Sequence, residues 1–312
     1  MITLNYNSLT EKELEHYIQM DLDDKIELSK NIIYDFQENV PNEETYISSS
    51  FGKDSIVLID LVRQEFPNTA ILYVNTGVEL SSSIELSKKY DNVITIYPKK
   101  HMREIVREYG YITPLGKDKS NAIEQVRKNI YDNKFDTWRV KQMRGENDGG
   151  MWDYSNLTKH LVAPFKISAK CCYWLKISPI NEFKKNTNYR YGFMGLTAEE
   201  SSQRRNALLN YGFNSEEYSR PIGHWTVQDI LLYIIENDLE LANCYGDIEF
   251  VDGEYRTTLL QRTGCVCCPI AAQYDNPNKF QIIHEIDYDK WDYAINTLGF
   301  KKVLDYFGID YL

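Results

Sequence analysis

The sequence contains none of the long apolar segments that membrane proteins need. No apolar run approaches the roughly 18 residues of a transmembrane helix, and residues 1–7 lack the basic and apolar regions of a signal peptide. The composition is that of a folded globular protein, since 43% of the 312 residues are hydrophobic and 26% are charged. We therefore expect a cytoplasmic protein without membrane contact, with one large domain and additions or with two smaller domains.

Positive charge is also scarce. The chain has 35 Lys and Arg against 46 Asp and Glu, a formal net charge of −11, which argues against general affinity for nucleic acids. Residues 99–148 are an exception, with twelve basic and eight acidic side chains. This local excess is compatible with a solvated insertion or with a docking surface for tRNA or DNA.

Two common glycine-rich nucleotide motifs are missing. The pattern G-x-x-x-x-G-K-[ST] fails because no glycine lies five positions before Gly52 and because Asp54 stands in the Ser/Thr position; no G-x-G-x-x-G occurs either. Residues 48–55 instead read S-S-S-F-G-K-D-S, between a β-branched and aromatic run at 45–47 and an apolar run at 56–59. A strand, a polar turn and a helix start bring backbone N–H groups and the positive helix end to one point. The segment is therefore a candidate phosphate site, to which Lys53 adds a positive charge.

The hydrophobic pattern predicts an α/β fold, an open Rossmann-like parallel sheet with helices on both faces. Predicted strands at 45–47, 70–74, 93–97 and 189–194 alternate with predicted helices at 54–66, 79–90 and 224–235. Residues 1–44 form an N-terminal helical segment, 45–235 a nucleotide-binding domain with a polar and basic insertion at about 110–165, and 236–312 a cysteine-containing, mainly helical C-terminal region. Because ligands bind at the carboxyl ends of such strands, the turns at 48–55 and 75–77 and Gly195 are predicted to face one crevice.

Five of the six cysteines lie in two tight clusters, at positions 171–172 and 265–268. Disulfides are rare in cytosolic proteins, and this clustering is more typical of a metal site than of scattered core thiols. Cys244 stands apart, and we predict a buried structural thiol there.

Further motifs follow the phosphate segment along the chain. They are S-x-G-K-D-S at 50–55, N-T-G at 75–77, C-C-x-x-x-K-x-x-P at 171–179, G-x-x-x-x-E-S-x-x-R at 195–204, P-x-x-x-W-x-x-x-D-I-x-x-Y at 221–233 and G-C-x-x-C-P at 264–269. This ordered set resembles the phosphoadenosine phosphosulfate (PAPS) reductase family of the adenine nucleotide α-hydrolase (PP-loop ATP pyrophosphatase) superfamily. Two positions depart from the family pattern, since Asn75 replaces an Asp and Thr197 replaces an Arg.

The resemblance implies a site for an adenine nucleotide, either ATP or a sulfonucleotide (PAPS or adenylyl sulfate, APS). The residues that it implies for this site are Ser48, Ser50, Phe51, Gly52, Lys53, Asp54, Ser55, Asn75, Thr76, Gly77, Gly195, Glu200 and Arg204. Lys53 would offset charge that develops near the α-phosphate, and Asp54 would hold Mg²⁺ or cap the following helix. Arg204 would compensate for the Arg missing at position 197, with a surface ion pair to Glu200 as the alternative.

For the cysteines, the resemblance implies a [4Fe–4S] cluster, because the C-C…C-x-x-C arrangement is similar to that of the family's APS reductases. The implied ligands are Cys171, Cys172, Cys265 and Cys268. Zinc and unmetallated thiols stay open as alternatives. Cys267 is the additional thiol, with a spectator, a sulfur carrier and a substitute nucleophile as its three readings.

The preferred hypothesis is an ATP-dependent enzyme that adenylates its acceptor, releases pyrophosphate and transfers sulfur, with Lys53, Asp54 and Cys267 as catalytic residues. The resemblance implies tRNA or DNA as the acceptor and a sulfur-donor protein such as a cysteine desulfurase, and it is compatible with a homodimer. Family reductases carry a nucleophilic cysteine in a C-terminal E-C-G-L-H motif, and no cysteine follows Cys268 here. A PAPS or APS reductase is therefore the second hypothesis, and a non-catalytic nucleotide-binding subunit of a larger assembly is the third.

Overall fold

The computed structural model describes residues 8–146, 154–270 and 272–312. Gly149 and Gly150 of the predicted insertion lie outside the described residues. The helices are α1 (Glu11–Ile18), α2 (Leu22–Glu38), α3 (Lys53–Glu65), α4 (Ser81–Ser87), α5 (Met102–Tyr109), α6 (Lys117–Tyr131), α7 (Trp138–Met143), α8 (Thr158–Leu161), α9 (Lys170–Cys172), α10 (Ser178–Asn186), α11 (Ser202–Tyr211), α12 (Val227–Glu236), α13 (Lys279–Ile286), α14 (Tyr288–Asp292) and α15 (Lys301–Phe307). The strands are β1 (Thr45–Ser49), β2 (Ala70–Val74), β3 (Val93–Ile96), β4 (Tyr191–Met194), β5 (Tyr218–Ser219), β6 (Ile248–Val251) and β7 (Glu254–Thr257).

The chain forms two compact units whose segments alternate along the sequence. The first unit contains the residues up to Asn75, Leu80–Tyr97 and Ile180–Thr263, and the second contains Thr76–Glu79, Pro98–Pro179 and Gly264–Leu312. The domain boundaries predicted at 44/45 and 235/236 would give continuous domains. These boundaries stay a prediction.

Five parallel strands form the main sheet of the first unit, in the order β3-β2-β1-β4-β5. Ile47 of the central strand β1 lies opposite Ile71 of β2 and Phe193 of β4, and all three side chains are fully buried. The chain runs outward from β1 through β2 and β3 and then returns to the other side of β1. The switch point of the sheet therefore lies at the carboxyl ends of β1 and β4. The predicted Rossmann-like parallel fold is confirmed.

Most predicted elements occur within a few residues of their expected positions. β2 coincides with the predicted strand at 70–74, and α1 begins at a capping box in which Thr10 and Glu13 exchange hydrogen bonds of 2.8 and 3.2 Å. The helix expected at 79–90 is shorter, at Ser81–Ser87. The hairpin of β6 and β7 was not predicted, although Asp252 and Gly253 in its turn both have positive φ, as an Asp-Gly hairpin turn requires.

Two buried polar contacts hold α2 against the segment that begins α12. Lys25 Nζ lies 2.6 Å from Asp229 Oδ2, and Lys25 is only 2% exposed. Trp225 is buried, and its Nε1–H donates to Ser29 Oγ at 2.9 Å. Cys244 is also buried, as predicted.

The second unit has a hydrophobic core of its own. Much of the predicted insertion forms α6, α7 and α8, and its buried side chains include Ile123, Val140 and, in the turn before α8, Leu157. The insertion is therefore a packed helical layer rather than an irregular solvated loop. Among the helices in the described ranges, none combines the length and the apolar character that a membrane crossing needs.

Candidate functional site

The predicted phosphate segment lies at the switch point of the sheet, between β1 and α3. Phe51 has a positive φ of 53°, and its N–H donates to Ser49 Oγ at 2.9 Å. Its ring is fully buried, with edge contacts to Tyr73 and Tyr90 at centroid distances of 5.2 and 5.4 Å. Phe51 therefore anchors the turn in the core, and its side chain is not placed to contact a ligand.

Gly52 is needed because the backbone passes very close to two side chains. A Cβ at this position would lie 2.8 Å from Thr263 Oγ1 and 3.1 Å from the Tyr245 hydroxyl. That hydroxyl accepts the Lys53 N–H at 3.0 Å and donates to Thr263 Oγ1 at 3.3 Å. Burial raises the pKa of Tyr245, so the hydroxyl keeps the proton that it donates. Tyr245 and Thr263 thus brace the turn, and no motif in the sequence identifies them.

The start of α3 combines a buried cation with an open helix end. Lys53 is 4% exposed, and its Nζ lies 3.0 Å from Asp54 Oδ1. Gly52 occupies the N-cap position without a side-chain capping bond, so the helix-capping alternative for Asp54 is wrong; its carboxylate pairs with Lys53 instead. Ser55 Oγ donates back to the Gly52 carbonyl at 2.9 Å. The first-turn N–H groups of Asp54 and Ser55 have no partner inside the helix, which leaves them available to an anion at its positive end.

The end of β4 passes close to this helix start. A Cβ on Gly195 would lie 3.3 Å from both the Asp54 carbonyl oxygen and Ser55 Cα, so the absence of a side chain lets the two elements approach. Further along, Arg204 forms an i,i+4 ion pair with Glu200, which also accepts the Thr197 N–H at 3.3 Å. The alternative of an ion pair is therefore realised in the structure, whereas nucleotide contacts of Glu200 and Arg204 stay a prediction.

The turn at 75–77 crosses the boundary between the two units. Asn75, in the first unit, donates its N–H to the Ile96 carbonyl at 3.0 Å. In the second unit, Gly77 has a φ of 80°, and the Thr76 N–H and hydroxyl both donate to the Glu79 carboxylate. No motif in the sequence identifies the Glu79 carboxylate as part of this turn. The prediction that this turn shares a crevice with residues 48–55 is untested.

The two cysteine clusters meet in the second unit. The four predicted cluster ligands and Cys267 line one apolar cavity, together with Met102, Ile112, Leu175 and Lys176. The Val266 N–H donates to the Val78 carbonyl at 2.7 Å and fixes the later cluster to the 76–79 segment. Across the described ranges, no three His, Cys, Asp or Glu side chains converge closely enough to hold a single metal ion. The donor set itself, four thiols in a largely apolar enclosure, fits an iron–sulfur group.

The charges in this cavity couple its thiols to one another and to Lys176. A hydrogen bond with its neighbour Cys171 lowers the pKa of Cys172 to about 6, while the same bond and burial raise the pKa of Cys171. Negative charge on neighbouring cysteines, chiefly Cys265, raises the pKa of Lys176, whose side chain lines the same cavity. Cys267 is only 1% exposed, and burial raises its pKa well above the usual range. A nucleophilic cysteine is normally accessible and has a lowered pKa, so the structure gives Cys267 neither property.

One family model and two relatives are similar in sequence to this chain. The sequence model described as "Phosphoadenosine phosphosulfate reductase domain" matches residues 44–140 and 121–271. An uncharacterized protein of Methanocaldococcus jannaschii is 23% identical over 299 residues, which cover 93% of this chain and 58% of the relative. The adenosine 5'-phosphosulfate reductase of Geobacillus kaustophilus is 24% identical over 202 residues, which cover 63% of this chain and 65% of the relative. The chain thus spans less than two thirds of the length of either relative.

One solved structure is also similar in part. The crystal structure of phosphoadenylyl-sulfate (PAPS) reductase from Candida auris aligns with a TM-score of 0.41 and 15% identity, over 76% of this chain and 91% of that one.

Proposed function

The chain belongs to the phosphoadenosine phosphosulfate reductase domain family, within the PP-loop superfamily, and on that premise we propose that it is an ATP-dependent adenylating enzyme of sulfur transfer. Its ligand would be ATP with Mg²⁺, and its acceptor a nucleic acid such as tRNA or DNA. A sulfur donor such as a cysteine desulfurase and a homodimeric assembly belong to the same proposal. Family membership by itself indicates an enzyme that acts on nucleotides.

One observation carries the ATP part of this proposal. The turn at 48–55 presents the open N-terminus of α3 at the switch point of the sheet, with the buried Lys53 ammonium beside it. Helix N–H groups and a fixed cation are the elements that bind phosphates without a Walker motif. Tyr245 fixes the Lys53 backbone, so these groups are already oriented before a ligand arrives.

The geometry suggests a division of roles during adenylation. An acceptor oxygen would attack the α-phosphorus, and the bond from that phosphorus to the bridging oxygen would break, releasing pyrophosphate. The N–H groups at the start of α3 would hold the pyrophosphate oxygens. Lys53 would offset the negative charge that grows there, in a site where a buried cation acts strongly. Asp54 orients Lys53 at 3.0 Å and would share its other oxygen with Mg²⁺.

The cysteine cavity supports a second part of the proposal. Cys171, Cys172, Cys265 and Cys268 would hold a [4Fe–4S] cluster, which would supply a redox centre for the sulfur-transfer step. Zinc is less well supported, because the described thiols do not converge on one point, whereas a four-iron cluster distributes its four thiolates over four irons. Lys176, which lines the same cavity, would balance part of their negative charge.

Reduction of a sulfonucleotide is the second candidate, because one of the relatives is named as an adenosine 5'-phosphosulfate reductase. That reaction needs a thiolate to attack the sulfonate sulfur. Cys267, the cysteine predicted to substitute for this nucleophile, is buried at 1% exposure. The placement of Cys267 favours the adenylating reaction over a reductase that depends on this residue.

Both candidates can be tested on one anaerobic preparation. Pyrophosphate release from ATP is measured with tRNA, a DNA duplex, cysteine and a cysteine desulfurase present, and sulfite release from PAPS and APS is measured with a thiol reductant. We expect pyrophosphate release, reduced about 10²–10³-fold by Lys53→Ala and unchanged by Lys185→Ala, an exposed lysine of the same unit. Sulfite without pyrophosphate would identify a reductase, and tight nucleotide binding without either product would identify a non-catalytic subunit.

A further inference from the structure

A cleft of about 530 Å³ in the second unit is lined by four cations and no carboxylate. The cations are Arg103 and Arg107 of α5, Lys166 and Lys302, and all four side chains are exposed. Apolar or aromatic residues complete the walls, namely Val106, Tyr111, Pro164, Phe165 and Leu298. Such a concentration of positive charge is unusual in a chain with a net charge of −11.

The cleft is built by a close backbone contact after α5. Gly110 has a φ of 102°, and a Cβ there would lie 2.2 Å from the Lys166 carbonyl oxygen. Next to it, the Tyr111 N–H donates to the same oxygen at 2.9 Å, which brings the end of α5 beside Lys166. The Tyr111 hydroxyl donates to the Leu298 carbonyl at 3.0 Å, and Lys302 Nζ lies 4.4 Å from the ring centre. One glycine and one tyrosine therefore bring cations from three chain segments together.

The nearby acidic side chains are engaged elsewhere. Glu104 accepts the His101 N–H at 2.7 Å, and Glu108 forms an ion pair with Lys100. None of the four cleft cations has a carboxylate within ion-pair distance in the part of the chain that the structure describes. Unpaired cations of like charge repel each other, so a cleft of this kind is most stable with an anion bound.

Two other basic residues of 99–148, Lys141 and Arg127, have partners of their own. Lys141 pairs with Asp136 at 2.8 Å, and Arg127 donates to backbone carbonyls at four positions, from His160 to Phe165. These contacts give both side chains partners within the second unit. Within 99–148, Arg103 and Arg107 line the cleft, and its other two cations, Lys166 and Lys302, come from outside this region.

We propose that this cleft binds the phosphodiester backbone of a nucleic acid. Arginine pairs with phosphate through two parallel N–H···O bonds, and lysine adds a point charge. Four exposed cations that line one cleft suit a chain of regularly spaced anions, because each cation can pair with its own phosphate. The half-buried Phe165 and the apolar wall offer a surface for sugars and bases. The proposal rests on the proposed function only for the class of acceptor, because binding here requires neither ATP nor the cysteine cavity.

The test is fluorescence anisotropy of labelled single strands longer than typical binding sites of about 4–16 nucleotides, without ATP. DNA and RNA of unrelated sequence should bind alike, because phosphate contacts carry no sequence information. Four contacts predict a slope of about −3 for log affinity against log salt concentration. The double variant Arg107→Ala/Lys166→Ala should reduce the slope to about −1.4 and weaken binding at low salt about tenfold or more.

The matched control is Lys12→Ala/Lys185→Ala, which removes the same two charges from exposed positions of the first unit. It should retain wild-type affinity and slope. Equal losses of affinity in both double variants would show that affinity depends only on net charge, and would overturn the proposal. Displacement of the strand by polyglutamate or by inorganic phosphate at equal charge concentration would overturn it as well. Pyrophosphate release can fail while binding persists, so the two proposals are separable.

Discussion

The structure leaves little room for a side chain at position 52, and Gly52→Ala tests this quantitatively. The new Cβ would lie 2.8 Å from Thr263 Oγ1 and 3.1 Å from the Tyr245 hydroxyl. Both distances are shorter than normal contacts, and Tyr245 is itself held by its bond to the Lys53 N–H. The substitution therefore has to displace the hydroxyl groups that brace the phosphate turn.

The magnitude follows from two opposing effects. The backbone of Gly52, with φ −86° and ψ 164°, is open to alanine without strain. Alanine would then stabilise the protein by about 0.4–1 kcal/mol, because it lowers the conformational entropy of the unfolded chain. Overpacking of a well-packed site costs about 1–3 kcal/mol. We expect a net loss of about 1–2 kcal/mol in the free energy of unfolding, together with a higher KM for ATP, because the turn moves.

A double-mutant cycle with Thr263 assigns the cause. In Thr263→Ala the closest obstructing atom is gone, so adding Gly52→Ala should cost little or should stabilise. Thr263→Ser retains Oγ and should give no rescue, which makes it the matched control. Urea unfolding gives the four free energies, and ATP titration gives KM. An equal cost of Gly52→Ala in the wild-type and Thr263→Ala backgrounds would refute the reasoning, because Thr263 would then not be the obstructing group.

Three further predictions concern stability and the cysteine cavity. Burial lowers the pKa of His224 from 6.5 to about 3, so the free energy of unfolding should fall by about 1.4 kcal/mol for each pH unit between 6.5 and about 3. Urea titrations at several pH values should show no such contribution in His224→Phe. Lys25→Met leaves Asp229 with an uncompensated charge and should cost about 3–5 kcal/mol, part of which Lys25→Met/Asp229→Asn recovers in the same assay. Anaerobically purified protein should contain about four irons per chain; Cys172→Ser should lose most of them and Cys244→Ser should retain them, whereas equal iron contents would exclude the cavity as the site.

Local sequence was sufficient for the elements whose signals lie within a few residues. The continuous apolar run of β2, the capping box of α1 and the phosphate turn at 48–55 each depend on neighbouring residues, because hydrogen-bond periodicity and turn chemistry act over short distances. The Asp-Gly turn of β6 and β7 carried a local signal that was overlooked. The two-residue strand β5 carried none, because a strand of that length has no periodicity.

Only the tertiary structure decided which distant side chains complete each site. Tyr245 braces the Lys53 backbone from 192 positions away, and the cations of the cleft meet because Gly110 admits the Lys166 backbone. The composition of the cysteine clusters was evident in the sequence, but the burial of Cys267 was not, since burial depends on how the whole chain packs. The sequence by itself determined the chemical groups and the sheet that carries the phosphate turn. Long-range packing determined which of those groups are braced, which are buried and which are left facing an open cleft.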